Sequence, residues 1–260
     1  AIYAVAGQQQ VNVEVLKLVG FGAALYLVLP VLALGATLLL RPARDVRSVY
    51  QLLLVFGNVS FMGFPVAQAV YGEQAIFYIN ILNIPFTLMI FTYGVRLLRG
   101  RGEGIHTAFS WGDVFSPGFL SALISLAVYF ARLPLPVFVV NALGFVGGLT
   151  TPLSMMVIGS MMAAFSFREV FAEKKLYLMA VLKLAAMPVA GYFLARLLFA
   201  DPVLVGVITL SLAMPSGALC AMVGQQYGTV RQANTAALGV FITTILSMLS
   251  IPLVILELSR

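Results

Sequence analysis

Two short stretches of this chain set polar and helix-breaking residues into almost wholly apolar surroundings. "FGNVSFMGFPVAQAVYG" holds Asn58, Ser60, Gly63 and Pro65, and "AMPSGALCAMVGQQYG" holds Pro215, Ser216 and Gly217. Their chemistry would come from the backbone. A proline within a helix removes one N–H and kinks or opens the helix. A short helix restarting with its proline in first position loses no donor. Its first turn then carries unpaired N–H groups and about half a positive charge. Two such ends meeting at the membrane midplane from opposite sides would form an anion site without any Arg or Lys. A tolerated kink is the other reading of a membrane proline, and it accounts for Pro30, Pro85, Pro152, Pro188 and Pro252. Pro65 and Pro215 differ, because small and polar residues surround both in matched positions.

The elements that must hold these residues are membrane helices. Hydrophobic residues make up 62% of the chain and charged residues 9%, with a mean hydropathy of +1.04. A soluble domain needs a more charged exterior than that. Runs such as "GFGAALYLVLPVLALGATLLL" are long enough to cross a bilayer and do not alternate, which excludes a β-barrel. The reading is an all-α polytopic membrane protein with spans near 14–40, 50–70, 74–98, 115–131, 136–165, 175–199, 203–224 and 230–256. Alternate loops carry Arg41, Arg44, Arg47, Arg96, Arg99, Arg101, Arg168, Lys174, Lys175 and Arg231, against Lys17, Arg132, Arg196 and Arg260 on the other side. The positive-inside bias therefore places loop 99–113 in the cytoplasm, the expected membrane being the plasma membrane or bacterial inner membrane.

A repeat links the two proline segments. "GFPVAQAVYG" answers to "MPSGALCAMVGQQYG", each ending in Tyr-Gly, and "VLKL" recurs at 15–18 and 181–184 in the span before each. By the loop charges Tyr71-Gly72 faces outward and Tyr227-Gly228 inward, so the segments run in opposite directions. That is the pattern of inverted repeats, here 1–101 with three spans and 102–260 with five. A symmetric protein of five plus five would need two more spans before Ala1. "AIYAVAGQQQ" lacks the basic start of a signal peptide and reads as the tail of an earlier helix, or the hairpin after one.

"FGNVSFMGFPVAQAVYG", "LTTPLSMMVIGSMMA" and "AMPSGALCAMVGQQYG" together resemble the three signature segments of the auxin efflux carrier family, in order and spacing, from about Leu16 to Leu256. The resemblance implies ten helices in two inverted repeats, similar to bile-acid sodium symporters, with crossed and broken fourth and ninth helices. Those would be the second and seventh spans here, with the family's first two helices absent. It implies a moving core, complete in this chain, and a scaffold half present; a homodimer through the scaffold helices is among the expectations. Carried over by position, the family's crossover asparagine falls on Asn58 and its crossover prolines on Pro65 and Pro215. Bacterial members named for malonate and malate point to a small organic anion as cargo.

Other candidates are read from the residues alone. Asn80 and Asn83 share a helix face and would face the core cavity, or make a structural inter-helix hydrogen bond. Thr151 and Ser154 flank Pro152 in the expected scaffold, and Gly144 and Gly148 form a close-packing GxxxG. Every Asp and Glu lies at or near a span end, which argues against a carboxylate relay. Lys183, about eight residues into its span, is expected to snorkel toward the cytoplasm. Cys220 reads as packing. No nucleic-acid-binding face, P-loop or metal set is present, and His106 has no nucleophile partner, so an enzyme is not expected. No cofactor is expected, with coupling by Na+ or H+ left open.

The expected function is secondary transport, as efflux of a mono- or dicarboxylate by elevator-like movement. The alternative is a ligand sensor or interaction module on the same fold, which the short cytoplasmic loop disfavours. A channel is disfavoured because no ring of like charges lines any span.

Overall fold

The computed structural model describes residues 13–99, 135–149 and 173–258, with isolated positions between 120 and 160. The expected span 115–131, the loop 99–113 with His106, Thr151, Ser154 and the first ten residues lie wholly or mostly outside the described residues. Everything regular within them is helical, apart from one isolated bridge.

Helix α1 runs Val13–Leu40, and α2 covers Arg47–Val55. A π-helical turn, Val59–Gly63, leads into α3, Phe64–Tyr71. Helix α4, Glu73–Met89, continues through a second π turn, Ile90–Gly94, into α5, Val95–Arg99. Helix α6 covers Val137–Gly148. Helix α7, Lys174–Val181, passes through a third π turn, Leu182–Ala186, into α8, Met187–Leu198. Then follow α9, Pro202–Ala213, α10, Ala218–Tyr227, and α11, Val230–Leu258. Among the described residues, four stretches are long and apolar enough to cross a membrane: Leu16–Leu40, Phe77–Arg99, Lys174–Leu198 and Val230–Leu258. Within the described residues, the expected spans 50–70 and 203–224 are interrupted.

Two π turns have a common cause. Pro65 and Pro188 each stand two residues beyond such a turn. A proline has no N–H to give and its ring crowds the carbonyl four residues back, so the preceding turn widens instead of closing in α geometry. The segment 59–71 is thus continuous helix through Pro65.

The interior is built around the interrupted pairs. Helix α1 packs on α2 and α4, α8 on α9, α9 on α4, and α10 on α11. Phe56, at the first interruption, is fully buried. Its ring meets Phe86 of α4 edge-on at 5.6 Å, and Tyr26 of α1 lies 5.8 Å from Phe86. Aromatic pairs of this geometry add roughly 0.5–1.5 kcal/mol each beyond area burial. Gly72 turns the chain from α3 into α4 at φ 73°, a left-handed conformation that favours glycine.

Candidate functional site

The two interruptions meet. Residues 56–58 separate α2 from its π turn, and residues 214–217 separate α9 from α10. Gly57 and Ser216 pair as an antiparallel bridge. Asn58 N donates to Pro215 O at 2.6 Å, and Gly217 N donates to Phe56 O at 2.9 Å. A Cβ on Gly217 would stand 3.0 Å from Gly57 O, so the absence of a side chain lets the two backbones touch.

A broken helix must find partners for its last carbonyls, because lipid supplies none. For α2 these come from the other half of the chain. Ser216 Oγ donates to Leu53 O at 2.9 Å, and Lys183 Nζ donates to Leu54 O at 2.7 Å. Cys220 Sγ lies 3.6 Å from Phe56 O and 3.7 Å from Leu52 O. From α11, Thr243 Oγ1 accepts from Ser216 N at 3.1 Å while donating to Gly239 O at 2.8 Å. Ser216, Thr243 and Cys220 are all fully buried.

The donors left over are at the restarting helices. Asn58 is the residue before the first turn, its carbonyl accepting from Met62 N and Gly63 N at 3.1 Å each. Its side-chain amide caps nothing and has no hydrogen-bond partner among the described residues, although Asn58 is only 3% exposed. The first N–H groups of the turn from Val59 and of α10 from Ala218 precede any intrahelical acceptor. This geometry can hold a small anion through backbone N–H groups, two helix dipoles and one amide.

The expected site residues are brought together unequally. Asn58, Pro215, Ser216 and Gly217 form the crossing itself. Ser60 Oγ lies 3.2 Å from Asn83 Oδ1, tying α4 to the first turn, and Asn80 is buried one turn earlier on α4. Gly63 packs against Ile79 and Met214, where a Cβ would come within 3.2 and 3.5 Å.

Three expectations need correction. Pro65 does not mark the break: the helix opens at residues 56–58, and Pro65 lies inside the restarted helix. Pro215 does lie in the second break, but α10 restarts three residues later at Ala218, so neither proline occupies the first helical position. Lys183 does not snorkel. It is 1% exposed and its ammonium is spent on Leu54 O, because the π turn carries it inward and the broken helix end offers an acceptor there. The crossing therefore has a lysine beside it, contrary to a site free of Arg and Lys. Sequence reasoning also passed over Thr243. The one available signal for Lys183 was Pro188 five residues on, which reads as an ordinary kink.

A model of the family described as membrane transport protein matches residues 4–255. The chain belongs to this family, that of the auxin efflux carriers. It is a family of transporters, not of enzymes, and the apolar helices of this chain are those of a multi-pass membrane protein. A relative is an uncharacterized transporter of Methanocaldococcus jannaschii, 25% identical over 206 residues. That alignment covers 78% of this chain and 65% of the relative, so the chain spans less than two thirds of the relative's length.

Proposed function

We propose that this family member is a secondary carrier, in the efflux direction, of a small organic anion, a mono- or dicarboxylate such as malonate or malate. The observation that carries the reading is the bridged crossing: two interrupted helices restart beside each other, with free N–H groups and the side-chain amide of Asn58, which has no hydrogen-bond partner among the described residues. A carboxylate satisfies those donors in a medium where water cannot. In this reading α1–α5 and α7–α11 belong to inverted repeats whose core moves, elevator-like, against a scaffold containing α6. Asn58, Ser60, Asn80, Asn83 and Ser216 orient the cargo, and Gly63, Pro65, Pro215 and Gly217 shape the backbone that binds it.

Counterflow tests the reading. Proteoliposomes holding unlabelled malonate or malate should accumulate labelled acid from outside, saturably, and Asn58→Ala should weaken the apparent affinity by about tenfold, the scale of one charge-assisted hydrogen bond. Binding of either acid without counterflow would favour a ligand sensor. Neither binding nor counterflow would overturn the anion assignment.

A further inference from the structure

The crossing is flanked by a positive charge that has no negative partner among the described residues. Lys183 is 1% exposed, and among the described residues it makes no ion pair. The described ion pair, Arg231 with Asp45, lies at the exposed end of α11. Among the described residues Lys183 makes one hydrogen bond, to a backbone carbonyl, Leu54 O, which orients the ammonium without neutralising it. Its Nζ stands 3.6 Å from where a Cβ of Gly57 would be. Gly57 is the bridged residue directly before Asn58, so the ammonium stands beside the crossing.

A buried lone charge is costly unless something pairs with it, and chains retain such groups in membranes chiefly at sites of function. Here the fixed charge, the two helix N-termini and the Asn58 amide, which has no partner among the described residues, converge on one place. We propose that Lys183 is the positioning residue that sets the charge preference of this site: it supplies one full positive charge behind the crossing, and the anionic cargo is its counter-ion. The inference rests on the anion-carrier reading and deepens it. Lys183 does not touch the cargo; it holds Leu54 O and acts through its field. The fully charged dicarboxylate is therefore favoured over analogues of lower charge, and the empty site is the more strained state.

The test compares malonate, its half-amide malonamate and its neutral diamide, which differ by one charge at each step at nearly constant shape. Affinities are measured on the whole chain in lipid nanodiscs for the wild type, K183Q and K183R. The wild type is expected to bind more tightly with each added charge. K183Q should lose about tenfold or more on malonate, less on malonamate and nothing on malonamide, while K183R stays within about threefold of wild type. A purely structural lysine would lower all three affinities by the same factor, and that result overturns the inference while leaving the carrier reading intact. Unchanged malonate binding in K183Q overturns it as well. Should K183Q not fold, K183M takes its place and the wild-type charge series still decides, since equal affinities for malonate and malonamide refute a charge preference. Absence of binding by malonate, malate and succinate to the wild type overturns the carrier reading and this inference with it.

Discussion

Gly217→Ala is the sharpest perturbation of the crossing. At φ −69° and ψ 143° the backbone of Gly217 suits any residue, so alanine carries no conformational penalty there. In the unfolded chain it even removes freedom, which by itself stabilises by about 0.4–1 kcal/mol. The obstacle is contact. The new Cβ would stand 3.0 Å from Gly57 O, 3.3 Å from Gly57 C and 3.6 Å from Asn58 N, all backbone atoms of the facing strand. They cannot rotate away as a side chain would, so the bridge must widen by a few tenths of an ångström, stretching the 2.9 Å bond from Gly217 N to Phe56 O. Overpacking of this kind costs about 1–3 kcal/mol, leaving a net loss of about 1–2 kcal/mol. The control is Gly35→Ala in α1, where nothing lies within 4 Å and helix propensity predicts a gain of up to about 1 kcal/mol. The two variants should differ by about 2–3 kcal/mol, or about 4–12 °C in Tm for a chain of this size. Thermal unfolding of both in one detergent reads this directly. If Gly217→Ala unfolds at or above the temperature of Gly35→Ala, the two interruptions are not in backbone contact and the crossing as described is wrong.

Ser216→Ala removes the only side-chain donor described on Leu53 O, in a fully buried position, and should lower stability by about 1–3 kcal/mol in the same unfolding assay. Thr243→Val keeps shape but strands Ser216 N, with a similar expected loss, whereas Thr243→Ser should recover most of it. Pro215→Leu is expected to abolish malonate binding in nanodiscs by letting α9 run into α10, while Pro65→Leu, which leaves the break in place and relaxes only the π turn ahead of it, should weaken binding by about tenfold. Equal effects of the two would show that both prolines act alike. Tyr78→Phe deletes the 2.9 Å bond from the Tyr78 hydroxyl to Asp201 Oδ2 at the start of α9, and a Tm drop equivalent to about 0.5–1.5 kcal/mol is expected.

Much of this protein follows from its sequence by itself. Apolar runs of bilayer length, and the backbone's need to satisfy its own hydrogen bonds in lipid, leave an all-helical membrane chain as the solution. The described helices in the expected spans 14–40, 50–70, 74–98, 175–199, 203–224 and 230–256 begin and end within a few residues of those limits, because loop charges, glycines and the membrane thickness mark them locally. The paired Pro-and-polar segments were legible as interruptions for the same reason. What the sequence did not contain was where each helix opens and what closes the resulting gaps. Pro65 acts on the turn before it, so the break falls at residues 56–58, where no proline stands. The carbonyls freed there are met by Ser216 and Lys183, 163 and 129 residues away along the chain, and Ser216 N by Thr243 of another helix. Such partners depend on how helices far apart in sequence pack side by side. Only the tertiary structure turned Lys183 from a residue expected at the membrane surface into the charge beside the crossing, because an ammonium buried in lipid goes wherever packing offers it an oxygen.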